Sequence, residues 1–215
     1  DRTIVACRDV MIRVHAGEFV GITGRSGSGK STILKLVYRS YAPQDGSAVY
    51  DSELYGPIDL FRASDRQIIA LRRHEIGYVS QFLRVIPRTT ARQIVETAVL
   101  ETGRSAEEAR GRAADMLDHF ELAHELWDAY PATFSGGEKL RLNVARAMIK
   151  EPRLLLLDEP TASLDAHSKE KVRDVIRRLK DSGTTMLGIF HDLEFMEGLC
   201  DYEHRMEAGV VSEPV

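Results

Sequence analysis

Apolar positions along the chain alternate between spacings of two and of three to four, and these changes mark out a succession of strands and helices. Val10, Ile12 and Val14 alternate with Asp9, Met11 and Arg13, which predicts a half-buried strand. After a Gly17-Glu18 turn, the run EFVGIT predicts another strand, and the helix-forming segment ILKLVYRS begins a few residues on. Gly46, between YAPQD and SAVYD, predicts a short hairpin. Ser64 and Gln67 form a capping box for a helix through Arg73, and IGYV at Ile76–Val79 predicts a buried strand. From Phe82 to about Tyr130 the chain turns helical and charged. There Ser105 and Glu108 make another capping box, and Ala109, Ala113, Met116, Leu117 and Phe120 recur at helical spacing. Leu154–Leu157 predict a strand covered on both faces, as does TTMLGIF at Thr184–Phe190; between them Val172, Val175, Ile176 and Leu179 form a helix stripe. The order of elements predicts one α/β domain over 1–215. Its core is 1–81 with 145–215, and about 82–144 is a helical insertion.

The bulk numbers narrow the class without changing that picture. At 215 residues and 43% hydrophobic, the chain can bury a full core. No stretch approaches 18 consecutive apolar residues, and the first residues lack the charged, apolar and small-residue succession of a signal peptide. A net charge of −4 with no sustained basic stripe argues against nucleic acid as the main ligand. Cys7 and Cys200 lie far apart and suit free thiols in a reducing compartment better than a disulfide framework. A soluble, cytoplasmic protein with no direct membrane insertion is expected.

The strongest chemical signal is GRSGSGKS at Gly24–Ser31, a strand-to-helix loop with Gly24, Gly29, Lys30 and Ser31 at P-loop spacing. Its glycines let backbone N–H groups curl around a phosphate, and the helix start adds a positive end. Lys30 can reach the terminal phosphates and the Ser31 hydroxyl can hold Mg²⁺. Gly24, Arg25, Ser26, Gly27, Ser28, Gly29, Lys30, Ser31 and Thr32 are the candidate nucleotide-binding set, with ATP and Mg²⁺ as cofactors. LLLLDEP places Asp158 and Glu159 at the end of a buried strand. There Asp158 can bind Mg²⁺ through its water shell and Glu159 can polarise a water for attack on the γ-phosphate. FSGGE at Phe134–Glu138 opens a helix, with Ser135 as N-cap and two glycines that allow close approach of an anion; alone it is only a good helix start.

Taken in order, GRSGSGKS, Gln81 in YVSQF, SGGE, LLLLDEP, SLD at Ser163–Asp165 and His191 in IFHD resemble the ABC-type ATPases over essentially the whole chain. The resemblance implies a P-loop nucleotide-binding fold with an antiparallel β edge and a helical signature subdomain. It also implies that Gln81 contacts Mg²⁺ or the attacking water, and that His191 touches the γ-phosphate. Ser135, Gly136 and Gly137 would close over ATP held by another subunit, with Asp165 at the dimer contact. Two departures stand out: Phe134 and Glu138 replace the first and last residues of the usual LSGGQ, and no adenine-stacking aromatic can be named upstream of the P-loop.

The stretch VSQFLRVIPRTTARQIVE at Val79–Glu96, with TFSGGE, LLLLDEPTASLDA and GIFHD, further resembles the ABC ATPase (the L protein) of bacterial carbon–phosphorus lyase systems, which degrade phosphonates. That resemblance implies a homodimer, or a heterodimer with another ABC ATPase, docked to soluble phosphonate-pathway subunits. Those subunits make ribose methylphosphonate triphosphate intermediates. Arg84 and Arg88, in this stretch, would share one face if helical, either as a contact or as a solvated surface. The alternatives are the ATPase subunit of a membrane ABC transporter, of exporter or lipoprotein-release type, and a non-hydrolysing nucleotide switch. The presence of both Glu159 and His191 argues against the switch.

Overall fold

The computed structural model describes residues 6–80, 87–162 and 164–212. Strand β1 (Phe19–Thr23) leads into α1 (Lys30–Val37), and the hairpin of β2 (Val49–Ser52) and β3 (Gly56–Asp59) precedes α2 (Asp65–His74) and β4 (Ile76–Val79). Next come α3 (Ala91–Leu100), α4 (Ala106–His119), α5 (His124–Trp127) and α6 (Gly136–Met148), with a 3-10 turn at Pro131–Thr133 before α6. The remaining elements are β5 (Leu154–Asp158), α7 (Ala166–Asp181), β6 (Thr185–Ile189), α8 (Leu193–Met196), β7 (Tyr202–Glu207) and β8 (Val210–Val211).

Among the described residues the main sheet has the order β4-β5-β6-β1-β7-β8, parallel up to β7 and antiparallel at the β7–β8 edge. β2 and β3 form a separate antiparallel pair. The two-residue period of a strand sorts the β5 leucines between two cores. Leu155 and Leu157 join Phe19 and Met186 in a core covered by α3, α4, α6 and α7. Leu154 and Leu156 join Val20, Ile22, Leu187 and Ile189 in a core under α1 and α2. With both faces covered, β5 reads as a continuous apolar run.

The helices begin where the sequence caps them. Ser64–Gln67, Ser105–Glu108 and Ser135–Glu138 all form reciprocal capping boxes, as does Thr90–Gln93 at the start of α3. Each such cap contributes about 1 kcal/mol to its helix. The buried Asn143 of α6 donates to the Ser80 carbonyl at 2.6 Å, tying that helix to the end of β4.

Two local expectations are corrected. Residues 10–14 show the expected alternation of burial, with Val10, Ile12 and Val14 half-buried and Met11 exposed, yet they join no sheet among the described residues. Asp9, just before the run, takes a left-handed φ of 51°, so the extended backbone does not continue through it. Gly46 precedes the hairpin rather than turning it; the turn lies at 53–55. That turn is organised from afar by the buried Glu75 carboxylate, which accepts from Ser52 Oγ at 2.9 Å and from the Leu54 N–H at 3.0 Å. No helix among the described residues is long and apolar enough to cross a membrane.

Candidate functional site

The loop between β1 and α1 is shaped by close backbone approach at both ends. A Cβ on Gly24, where φ is 135°, would sit 2.1 Å from the Met206 carbonyl oxygen, and one on Gly29, where φ is 105°, 2.1 Å from that of Ala6. Only glycine allows this path. Arg25, Ser26 and Gly27 are exposed at its tip, while Ser28 and Lys30 are buried beneath it. The Ser28 hydroxyl is buried and has no hydrogen-bond partner among the described residues. Thr32 lies in the first turn of α1, its N–H donating to the Gly29 carbonyl at 2.9 Å.

Lys30 folds back on this loop, its Nζ donating to the carbonyls of Gly24 at 2.6 Å and Arg25 at 2.8 Å. Burial pulls its ammonium below the ordinary lysine range, against the opposing pull of Glu159 and Asp158. Ser31 Oγ donates to Asp158 Oδ1 at 2.8 Å, joining residues 127 apart in the chain. The other oxygen of Asp158, Oδ2, accepts from Tyr78 OH at 2.8 Å. Asp158 closes β5 beside the ends of β4 and β6, so its buried carboxylate is fixed by the sheet.

Glu159 leaves the strand with a left-handed φ of 53°, its N–H donating to the Ile189 carbonyl at 3.0 Å. A non-glycine residue in that region stores roughly 1–3 kcal/mol of strain. The turn brings Glu159 Oε1 to 2.7 Å from His191 Nε2, which follows β6. A cavity of about 250 Å³ borders this pair, lined also by Thr161, Phe190 and Asp192.

Lys30, Ser31, Asp158, Glu159 and His191 therefore converge at the C-terminal ends of β1, β5 and β6, with Lys30 and Ser31 at the start of α1. Ser135, Gly136 and Gly137 stand apart. Among the described residues no hydrogen bond links them to the P-loop, and a Cβ on either glycine would meet nothing within 4 Å. Asp165 caps α7, its Oδ1 accepting from the Ser168 N–H at 2.8 Å, a bond that holds its carboxyl below the usual range. Gln81, Arg84 and Ser163 lie outside the described residues. Tyr78 was missed by sequence reasoning, since nothing in IGYV distinguishes a phenol that caps a carboxylate from one that merely packs.

The family model for the ABC transporter family matches residues 7–162. The chain belongs to that family. It carries an ABC-type ATPase domain that binds ATP. It is 35% identical over 212 residues to a lipoprotein-releasing system ATP-binding protein of Pseudomonas syringae pv. tomato, covering 98% of this chain and 90% of that protein. It is 35% identical over 197 residues to a macrolide export ATP-binding/permease protein of Brucella abortus, covering 92% of this chain. Of that longer protein the chain spans only 30%. The dimeric structure of the ATP-binding cassette MJ0796 in a post-hydrolysis state, bound to ADP and Pi, superposes with a TM-score of 0.88 at 31% identity. It covers 99% of this chain and 90% of that one. The two relatives are named as transporter proteins, so they back the membrane-transporter alternative over the carbon–phosphorus lyase association.

Proposed function

We propose that this ABC ATPase is the MgATP-hydrolysing part of a membrane transporter of exporter or lipoprotein-releasing type, acting at the cytoplasmic side as a closing dimer against a membrane permease. The observation that carries the nucleotide chemistry is the meeting of Ser31 with Asp158 beside Lys30, joining the P-loop to the end of β5. The choice of partner rests on the transporter names of its relatives.

In this reading the loop N–H groups of 24–32 cradle the phosphates, and Lys30 exchanges two carbonyls for phosphate oxygens. The residues present suit a magnesium ion. A hydroxyl and a carboxylate, already 2.8 Å apart, are the hard oxygen donors it favours, with Gln81 assigned alongside them. When bound, that ion neutralises charge on the transferred phosphoryl group. Glu159, swung out of the strand, accepts the proton of the attacking water as the bond to the γ-phosphorus forms and the β–γ bridging oxygen departs. His191 releases Glu159 and turns to the γ-phosphate. The helical subdomain, about 82–144, presents Ser135, Gly136 and Gly137 to the ATP of the other subunit, and Asp165 lies at the contact between subunits.

A second reading keeps the same site and changes the partner. The resemblance of Val79–Glu96 to the carbon–phosphorus lyase ATPase favours soluble phosphonate-pathway subunits. Phosphate release with MgATP, followed by isolation of the chain from native membranes and from the soluble fraction, tests both. Recovery with a permease supports the transporter; recovery only with phosphonate-pathway subunits selects the second reading. No phosphate release from the purified or partnered chain would overturn both.

A further inference from the structure

We propose that Tyr78 is a positioning residue for the metal-site carboxylate of Asp158, itself held by a stack of Tyr38 and Arg72. The inference rests on the assignment of Asp158 to magnesium above. Both oxygens of Asp158, which is 5% exposed, are committed: Oδ1 to Ser31 Oγ and Oδ2 to Tyr78 OH, each at 2.8 Å. Only the first of these bonds has to open when Ser31 turns to the metal. The second is free to persist and fix the rotation of the carboxylate.

Strand geometry accounts for the reach. Tyr78 pairs with Leu156 in the parallel β4–β5 ladder, so Asp158 lies one strand across, about 4.8 Å, and two residues farther along the same face, about 6.6 Å. A tyrosine side chain leaning along the strand covers that span, and a shorter hydroxyl does not. The ring is set by packing behind it. Tyr38 and Tyr78 stack with centroids 4.8 Å apart and planes at 26°. The Arg72 guanidinium lies 4.3 Å from the Tyr38 ring centroid and donates twice to the Tyr38 carbonyl, at 2.6 Å and 3.0 Å. A partner that orients a metal-binding carboxylate typically sets tenfold or more in metal affinity.

Tyr78→Phe keeps the ring stack and removes only the donor. ATP affinity is measured by calorimetry in excess EDTA and again with Mg²⁺, with the fold checked by circular dichroism. The expected result is an unchanged metal-free ATP affinity and a Mg²⁺-dependent gain reduced by about tenfold. An unchanged Mg²⁺ gain overturns the inference. So does an equal fall of both affinities, which is what a purely structural tyrosine would give. A wild-type chain with no Mg²⁺ gain at all overturns the underlying metal assignment, and this inference with it.

Discussion

Replacing Gly136 and Gly137 together by alanine should make the isolated chain more stable and its ATPase weaker. Helix α6 begins with these two glycines, neither has positive φ, and a Cβ on either meets nothing within 4 Å. Glycine to alanine at positions of compatible conformation stabilises by roughly 0.4–1 kcal/mol each, or about 1–2 kcal/mol for the pair. At roughly 2–4 °C per kcal/mol for a chain of this size, the nucleotide-free melting temperature should rise by about 2–8 °C. The chain's own packing therefore gives no reason for two glycines here. The shared-site account does, because two added methyls would stand between the helix start and a partner's γ-phosphate. A loss of only about 1.4 kcal/mol of transition-state stabilisation lowers the rate about tenfold. Scanning calorimetry without nucleotide reads the first effect, and phosphate release at saturating MgATP the second. A lower melting temperature would show that the glycines are needed within the chain. Hydrolysis equal to wild type would remove this helix start from the ATP site.

Further outcomes follow from the same geometry. Lys30→Ala should abolish tight ATP binding, because the phosphates lose their nearest fixed cation; calorimetry showing wild-type affinity would refute the P-loop assignment. Glu159→Gln should bind ATP and stop hydrolysis, since an amide cannot take the proton of water, and dimers should accumulate with MgATP on size-exclusion chromatography. Undiminished phosphate release would instead move the base to His191. Burial alone would raise the Asp201 carboxyl, but Lys180 Nζ at 2.8 Å and the Phe19 N–H at 2.7 Å hold it below the ordinary range. A depressed folded-state value means stability that is present above the unfolded aspartate value of about 3.9 and lost as pH falls through the folded value. Lys180→Met should therefore destabilise at pH 7, with the difference from wild type shrinking in acid; a difference independent of pH in urea titrations would contradict the pairing.

Features written in local sequence were legible. The β5 leucine run and the capping boxes at Ser64, Ser105 and Ser135 depend on neighbours within a few residues, and the P-loop glycines were legible by their spacing, although the crowding at Gly24 comes from Met206 and that at Gly29 from Ala6. What escaped the sequence depends on distant partners. The hairpin turn at 53–55 is set by Glu75, more than twenty positions on, so Gly46 was a misleading signal. The strand expected at 10–14 had the right alternation but no partner in the sheet among the described residues, and alternation reports a buried face rather than a ladder. In the site, Lys30, Ser31, Asp158, Glu159 and His191 were each readable from motifs, but their pairings were not. The Glu159–His191 contact needs the left-handed turn after β5, and the Tyr78–Asp158 bond needs the β4–β5 register. Neither leaves a trace in residue spacing.

The central claim is that one chain supplies the P-loop and another supplies Ser135–Gly137 to a single ATP. Lys30→Ala and Ser135→Arg chains, inactive separately, can be mixed and their phosphate release measured against total protein concentration. In a mixed dimer one site would combine the intact P-loop of one chain with the intact helix start of the other, while the second site would carry both lesions. The account predicts that activity returns on mixing, reaches at most one working site per mixed dimer, and rises with concentration. No recovery on mixing, together with a wild-type activity per molecule that stays constant down to dilute monomer, would contradict it.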